Sequence, residues 1–251
     1  MNRISIKRIP KVALFLGCIL TGLLLAVIFR EQLAAHVQVL GDYYFNGGAY
    51  NPKKAARYYQ GALFLDADLV HAHYQLSRIY FVEEKLDDAL REVNAAISLA
   101  PDFGRAYYMR GLIYGFTKKL DEAEADFKKI LDLGELEPGA GKLDQGGWAV
   151  YNDLSWIQFQ KGNYADVEVS ARQGLEKYPD NPWLLNSLGL ALLNLEKKEE
   201  AKAVFGQALQ KAEGLTIEDV RRAYPGNDPL GAENKRRAIL TQIRFNQGLA
   251  R

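Results

Sequence analysis

A recurrence of 34 residues constrains this chain more than any other feature. Ala55, Ala89, Ala123, Val167 and Ala201 are separated by 34, 34, 44 and 34 residues, so one unit repeats with a single 10-residue excess. Leu40-Gly41, Leu76-Ser77, Arg110-Gly111, Leu154-Ser155 and Leu188-Gly189 keep the same beat upstream. A fixed period of this size is the signature of stacked supersecondary units, each too small to bury its own apolar face.

The spacing within a unit is helical. His73, Leu76, Ser77 and Tyr80 precede Ala89, Val93 and Pro101; Tyr107, Gly111 and Tyr114 precede Ala123 and Phe127; Leu185, Leu188, Gly189 and Leu192 precede Ala201, Phe205 and Ala208. Apolar positions at i, i+3, i+4 and i+7 give each helix one packing stripe. A small residue on that stripe lets the facing helix approach, and a large aromatic fills the space beside it. This pattern resembles the tetratricopeptide repeat family over about residues 34 to 213. The resemblance implies an all-α fold, a right-handed solenoid of about five helical hairpins with a concave surface. The expected units are 34–68, 70–103, 104–147 with an inserted loop at 134–147, 148–181 and 182–214, in an array over 31–214.

The N-terminus carries a different signal. Residues 1–11 are basic, and Val12 to Phe29 is an 18-residue run without a charge, bounded by Lys11 and Arg30. As a helix it spans about 27 Å, against roughly 30 Å for a bilayer core. Arg3, Lys7, Arg8 and Lys11 favour a cytoplasmic N-terminus. The expectation is a transmembrane signal anchor at 12–29, continuous with the first repeat, with the array extracytoplasmic in a bacterial periplasm or at a cell surface. The alternatives are a cleaved signal near Leu33-Ala34-Ala35 and lipidation at Cys18, which otherwise reads as a small apolar residue of the helix.

Along the array, Asn51 reads as a helix cap with Pro52 at the first helical position, after a lengthened turn containing Asn46-Gly47-Gly48. Gly139-Ala140-Gly141-Lys142 is not a phosphate-binding loop: Leu136 stands where the first glycine belongs, and Leu143 replaces the Mg²⁺-binding Ser or Thr. Residues 215–251 leave the period. Thr216 caps a short helix, 224–229 is irregular, and about 232–246 forms a capping helix with Ile239, Leu240 and Ile243 inward. Seven bases there, including Arg236 and Arg237, stand against four acids.

Chemistry is sparse. Cys18 is the single cysteine, so an intramolecular disulfide and a cysteine metal cluster are excluded. His71 and His73, two apart on a helix, point to different faces and form no metal clamp. Asp87-Asp88 and Asp121-Glu122 begin second helices, where carboxylates favour the positive end. The expectation is no catalytic site, cofactor or metal. Five bases and no acid lie in residues 1–30, which leaves 27 of the 32 bases against 31 acids in the rest, a net of −4. That balance argues against a nucleic-acid partner.

Residues half a turn from each first-helix stripe should line the concave face. They are Gln38, Asp42 and Phe45; His71, Tyr74, Arg78 and Phe81; Arg105, Tyr108 and Leu112; Asn152, Trp156 and Phe159; and Trp183, Asn186 and Leu190. Aromatics and arginine are typical anchors, and asparagine can pair with a peptide backbone. The Lys/Asn clamp by which some similar repeats grip a C-terminal carboxylate is unmatched, because Gln38 and Asp42 occupy its place. The expected function is a non-catalytic, membrane-anchored scaffold or adaptor that binds a protein or peptide in this groove, in envelope assembly or secretion. The alternatives are an accessory subunit of a membrane-bound enzyme complex and a membrane-surface module that uses the basic C-terminal helix.

Overall fold

The computed structural model describes residues 11–45, 49–134, 147–223 and 232–250, except the side chains of 11–19, 23–28, 221–223 and 232. The expected basic tail, the Asn46-Gly47-Gly48 turn, the Cys18 side chain, most of the 134–147 loop with Gly139 to Lys142, and the 224–229 stretch lie outside them. The regular elements are α1 (Lys11–Phe45), α2 (Pro52–Leu65), α3 (Val70–Val82), α4 (Leu86–Leu99), α5 (Gly104–Phe116), α6 (Leu120–Asp132), α7 (Gly147–Gln160), α8 (Tyr164–Lys177), α9 (Pro182–Asn194), α10 (Lys198–Glu213), α11 (Ile217–Ala223) and α12 (Ala232–Leu249). The described residues contain no strand. The chain divides into two compact units, Met1–Leu76 and Ser77–Arg251.

In the first unit α1 packs along α2. Ala34, Phe45, Ala55 and Tyr59 are buried there. Arg30 donates to the carbonyl of Phe64 at 3.2 Å. Asn51 caps α2 as its residue type dictates, accepting from the Lys54 amide at 3.0 Å ahead of Pro52. The continuity of α1 with the first repeat is as expected, but the single-pass anchor is not found. α1 is one helix of 35 residues whose second half carries Arg30, Glu31 and Asp42 and is committed to α2. Among the described residues no helix is long and apolar enough to cross a membrane. The topology with a cytoplasmic N-terminus and an extracytoplasmic array falls with that finding.

In the second unit α5–α6, α7–α8 and α9–α10 are hairpins, and each packs on its neighbour. The repeating small residues Ala89, Ala123, Val167 and Ala201 are buried in their second helices. One core runs through Phe127, Ile130, Leu154, Ile157 and Leu184 to Ile239 and Ile243 of α12. Arg110 on α5 adds a two-pronged pair to Asp126 of α6 at 2.8 and 2.7 Å, and donates to Asn94 of α4 at 2.9 Å.

The turns repeat as faithfully as the helices. Glu84, Lys118, Gly162 and Glu196 all take positive φ, at 59°, 63°, 77° and 62°. At each, the next amide reaches back five residues (Lys85 to Tyr80, Lys119 to Tyr114, Asn163 to Gln158, Lys197 to Leu192), which closes a Schellman cap. Glycine holds that position once, so the other three turns carry side-chain strain. Glu196→Gly is therefore expected to raise stability by about 0.5–1 kcal/mol in urea denaturation. A loss of stability would mean that the turn is not strained.

Thr216 and Asp219 form a reciprocal cap at the start of α11: the Asp219 amide donates to the Thr216 hydroxyl at 3.1 Å, and the Thr216 amide to Asp219 Oδ2 at 2.9 Å. α12 packs on α9 and α10. Two of its bases are taken up within the unit: Arg236 donates to the Leu215 carbonyl at 2.7 Å, and Arg244 to Glu213 at 2.9 Å.

Candidate functional site

In the first unit Asp42 is the centre of a polar cluster rather than an open groove position. The buried Tyr59 donates its hydroxyl to Asp42 at 2.7 Å, His71 Nε2 lies 2.9 Å away, and the Gln75 amide lies 3.5 Å away. Burial pushes the Asp42 carboxyl up, but the bonds from His71 and Tyr59 outweigh it and leave the group below the usual carboxylate range. The Tyr74 ring is tilted against His71 at 6.4 Å. Gln38 is half-buried and Phe45 buried. These side chains hold α1, α2 and α3 together.

In the second unit the expected residues divide. Arg78 and Arg105 are half-buried. Phe81 meets Phe116 edge to face at 5.9 Å, and Leu112 packs on the core. The Tyr108 ring lies against Phe127 at 5.8 Å while its hydroxyl reaches α7. Asn152, Trp156, Phe159, Trp183, Asn186 and Leu190 are brought together around one cavity of about 520 Å³. That volume is in the range of ligand-sized clefts.

The helix period explains the gathering. Asn152, Trp156 and Phe159 follow one another at i, i+4 and i+7 on α7, and Trp183, Asn186 and Leu190 at i, i+3 and i+7 on α9, so the two rows face each other. Trp156 is 48% exposed, whereas Trp183 is buried and stacked on Trp148 at 4.7 Å. Lys118 lies 5.6 Å over the Trp156 ring and donates to the Gln160 side chain. Ser187 donates to Asn152 at 3.2 Å, tying α9 to α7. Asn186 is not open to a ligand in the way its sequence position suggests: it is buried, and Asn246 of α12 donates to its carbonyl at 2.9 Å.

Asp153 and Gln242 also line the cavity, outside the residues expected from sequence. Asp153 accepts from the Tyr108 hydroxyl at 2.6 Å and from the Asn152 amide at 3.3 Å. Burial pushes its carboxyl up to about 6, further than these two bonds pull it down. Among the described residues no cluster of His, Cys, Asp and Glu is arranged to hold a metal ion.

Paired hairpins, a glycine under an aromatic ring and a shared recess on the first helices together define the architecture of the second unit. Residues 104–133 and 171–203 match models of the tetratricopeptide repeat, the first covering α5–α6 and the second running from α8 to α10. This is a tetratricopeptide-repeat fold. Solved tetratricopeptide-like neighbours agree. MamA superposes with a TM-score of 0.59 at 20% identity over 69% of this chain and 94% of its own. PilF of Pseudomonas aeruginosa gives 0.61 at 16% identity over 86% and 90%. YrrB, a tetratricopeptide protein with an unusual peptide-binding site, gives 0.54 at 17% identity over 78% and 96%. At such identities the likeness establishes the fold alone. Comparison with curated proteins finds no match. Tetratricopeptide scaffolds act through protein–protein contact and are generally not enzymes.

Proposed function

We propose that the second unit is a non-catalytic scaffold that binds an extended segment of a partner protein along α7 and α9. Trp156, Phe159 and Leu190 are its apolar anchors. Asn152 and Ser187 are placed to meet the segment's backbone. The working repeats are those at 104–147, 148–181 and 182–214, with α12 closing the end of the groove through Gln242.

The observation that carries this reading is the cavity of about 520 Å³ with the half-exposed Trp156 on its wall. A large indole beside a recess leaves apolar area in water that a partner would cover, and aromatics in such places dominate binding energy. Neutral amides and hydroxyls beside it supply both donors and acceptors for a peptide backbone.

The test is to select peptides from a displayed random 12-residue library on the full chain and measure their affinity for Trp156→Ala. A loss of about 10- to 100-fold is expected, the range of a hot-spot truncation, with the melting temperature little changed because the ring is half-exposed. Selected peptides that bind Trp156→Ala as well as wild type would remove the groove from the account.

A further inference from the structure

We propose that the cavity takes the guanidinium of an arginine in the partner segment, with Asp153 as its counter-charge. The inference rests on the groove reading above and specifies what the groove recognises.

The treatment of Asp153 differs from that of other shielded acids in this unit. Asp126 is met by Arg110. Glu124 is met by Lys128 and Lys161. Glu168 is met by Arg172 and Lys197. Asp153 has Tyr108 and Asn152, both neutral, and no lysine, arginine or histidine pairs with it among the described residues. A carboxylate shielded from water is costly unless a cation compensates it, and the described residues supply none to the half-buried Asp153. An ionised carboxylate offers about four acceptor sites, of which two are used.

The walls suit an arginine. Asp153 lines the cavity with Trp156, Phe159 and Trp183. A guanidinium is planar, weakly hydrated and able to stack on an aromatic face while it donates two bonds to one carboxylate. An ammonium is more strongly hydrated and donates from a point, so lysine should bind less well. The other polar side chains of the lining (Asn152, Ser155, Ser187, Asn186 and Gln242) are neutral, and Tyr108 reaches Asp153 with a phenol, so no side chain of the lining duplicates or opposes the charge. Lys118, over the Trp156 ring, donates to Gln160 and not to Asp153. Burial holds the Asp153 carboxyl up at about 6, so at neutral pH it is ionised, and an entering guanidinium would supply the counter-charge.

Displayed 12-residue libraries with the central residue fixed as Arg, Lys, Leu or Glu, selected on the full chain, test this. The expected result is enrichment of central Arg over Leu by about 10-fold or more, Lys intermediate and Glu depleted, with a comparable affinity loss in Asp153→Asn. That variant keeps the side chain's shape and an acceptor for Tyr108. Should it fail to fold, the ¹³C titration of Asp153 in wild type, with and without the selected Arg peptide, reads the same contact; an unchanged titration overturns the proposal. Peptides that need Trp156 but show no Arg enrichment, or that ignore Asp153→Asn, overturn the arginine assignment and leave the groove standing. Peptides indifferent to Trp156 overturn both.

Discussion

Phe205→Ala is expected to destabilise the second unit by about 3–5 kcal/mol, the cost of emptying a fully buried aromatic site. The ring is 0% exposed and belongs to a core with Leu188, Leu192 and Ala201. It lies directly on Gly189: a β-carbon there would stand 2.5 Å from the ring edge and 2.7 Å from the next atom. Gly189→Ala gains about 1 kcal/mol in helix propensity, yet the clash forces the ring or the helix to move, a penalty of about 1–3 kcal/mol. It should therefore be neutral to destabilising rather than stabilising, unlike an exposed helical Gly→Ala. Placing Gly189→Ala in a Phe205→Leu background should lower its cost, because the two positions share one volume. Urea denaturation of the four proteins gives the coupling, and strict additivity would show that the ring and the glycine are not in contact.

Asp153→Asn is expected to act in the opposite direction. Burial holds the Asp153 carboxyl near 6, above its ordinary 3.8, so the folded chain binds this proton more tightly than the unfolded chain does. The associated stability is complete below about 3.8 and is lost as the pH rises through about 6. At neutral pH wild type therefore carries an ionised, uncompensated carboxylate that costs about 2–3 kcal/mol. The amide substitution should recover much of that, raising the melting temperature by several degrees at pH 7.5 and by little at pH 4. Calorimetry at the two pH values decides the matter. Equal shifts, or a destabilised variant at pH 7.5, would show that burial does not raise the Asp153 carboxyl above its ordinary range. A gain confined to pH 7.5 would fit the proposed role of Asp153 as a counter-charge for a ligand.

The repeat was legible because it rests on residue size at fixed spacing. Ala89, Ala123, Val167 and Ala201 are buried where the period put them, and Gly111 lies under Phe127 as Gly189 does under Phe205. In the first unit Gly41 lies under Tyr59, two residues further on, where the turn is longer. The aromatic sits on the glycine itself, closer than a ring that only fills the space beside it. The N-terminal run does continue into the first repeat, as α1 to Phe45 against α2, but a charge-free length was not enough to make a span: among the described residues no helix is long and apolar enough to cross a membrane. At the cavity, Trp156, Phe159 and Leu190 could be read from helical phase alone. Asp153 could not, since its setting depends on Tyr108, 45 residues away. Nor could the loss of Asn186 to Asn246, which arrives from 60 residues downstream on α12. Helical phase selects a face; tertiary partners decide which of its polar groups remain available.

The central claim is that an extended partner segment lies against α7 and α9 in the second unit. Photocrosslinking tests it most directly: benzoylphenylalanine is placed at Phe159 on the cavity wall or at the exposed Val169 of α8, with a library-selected peptide as the probe. The account predicts a covalent adduct from position 159 that unlabelled peptide competes away, and none from 169. A competed adduct from 169 with none from 159 would contradict it.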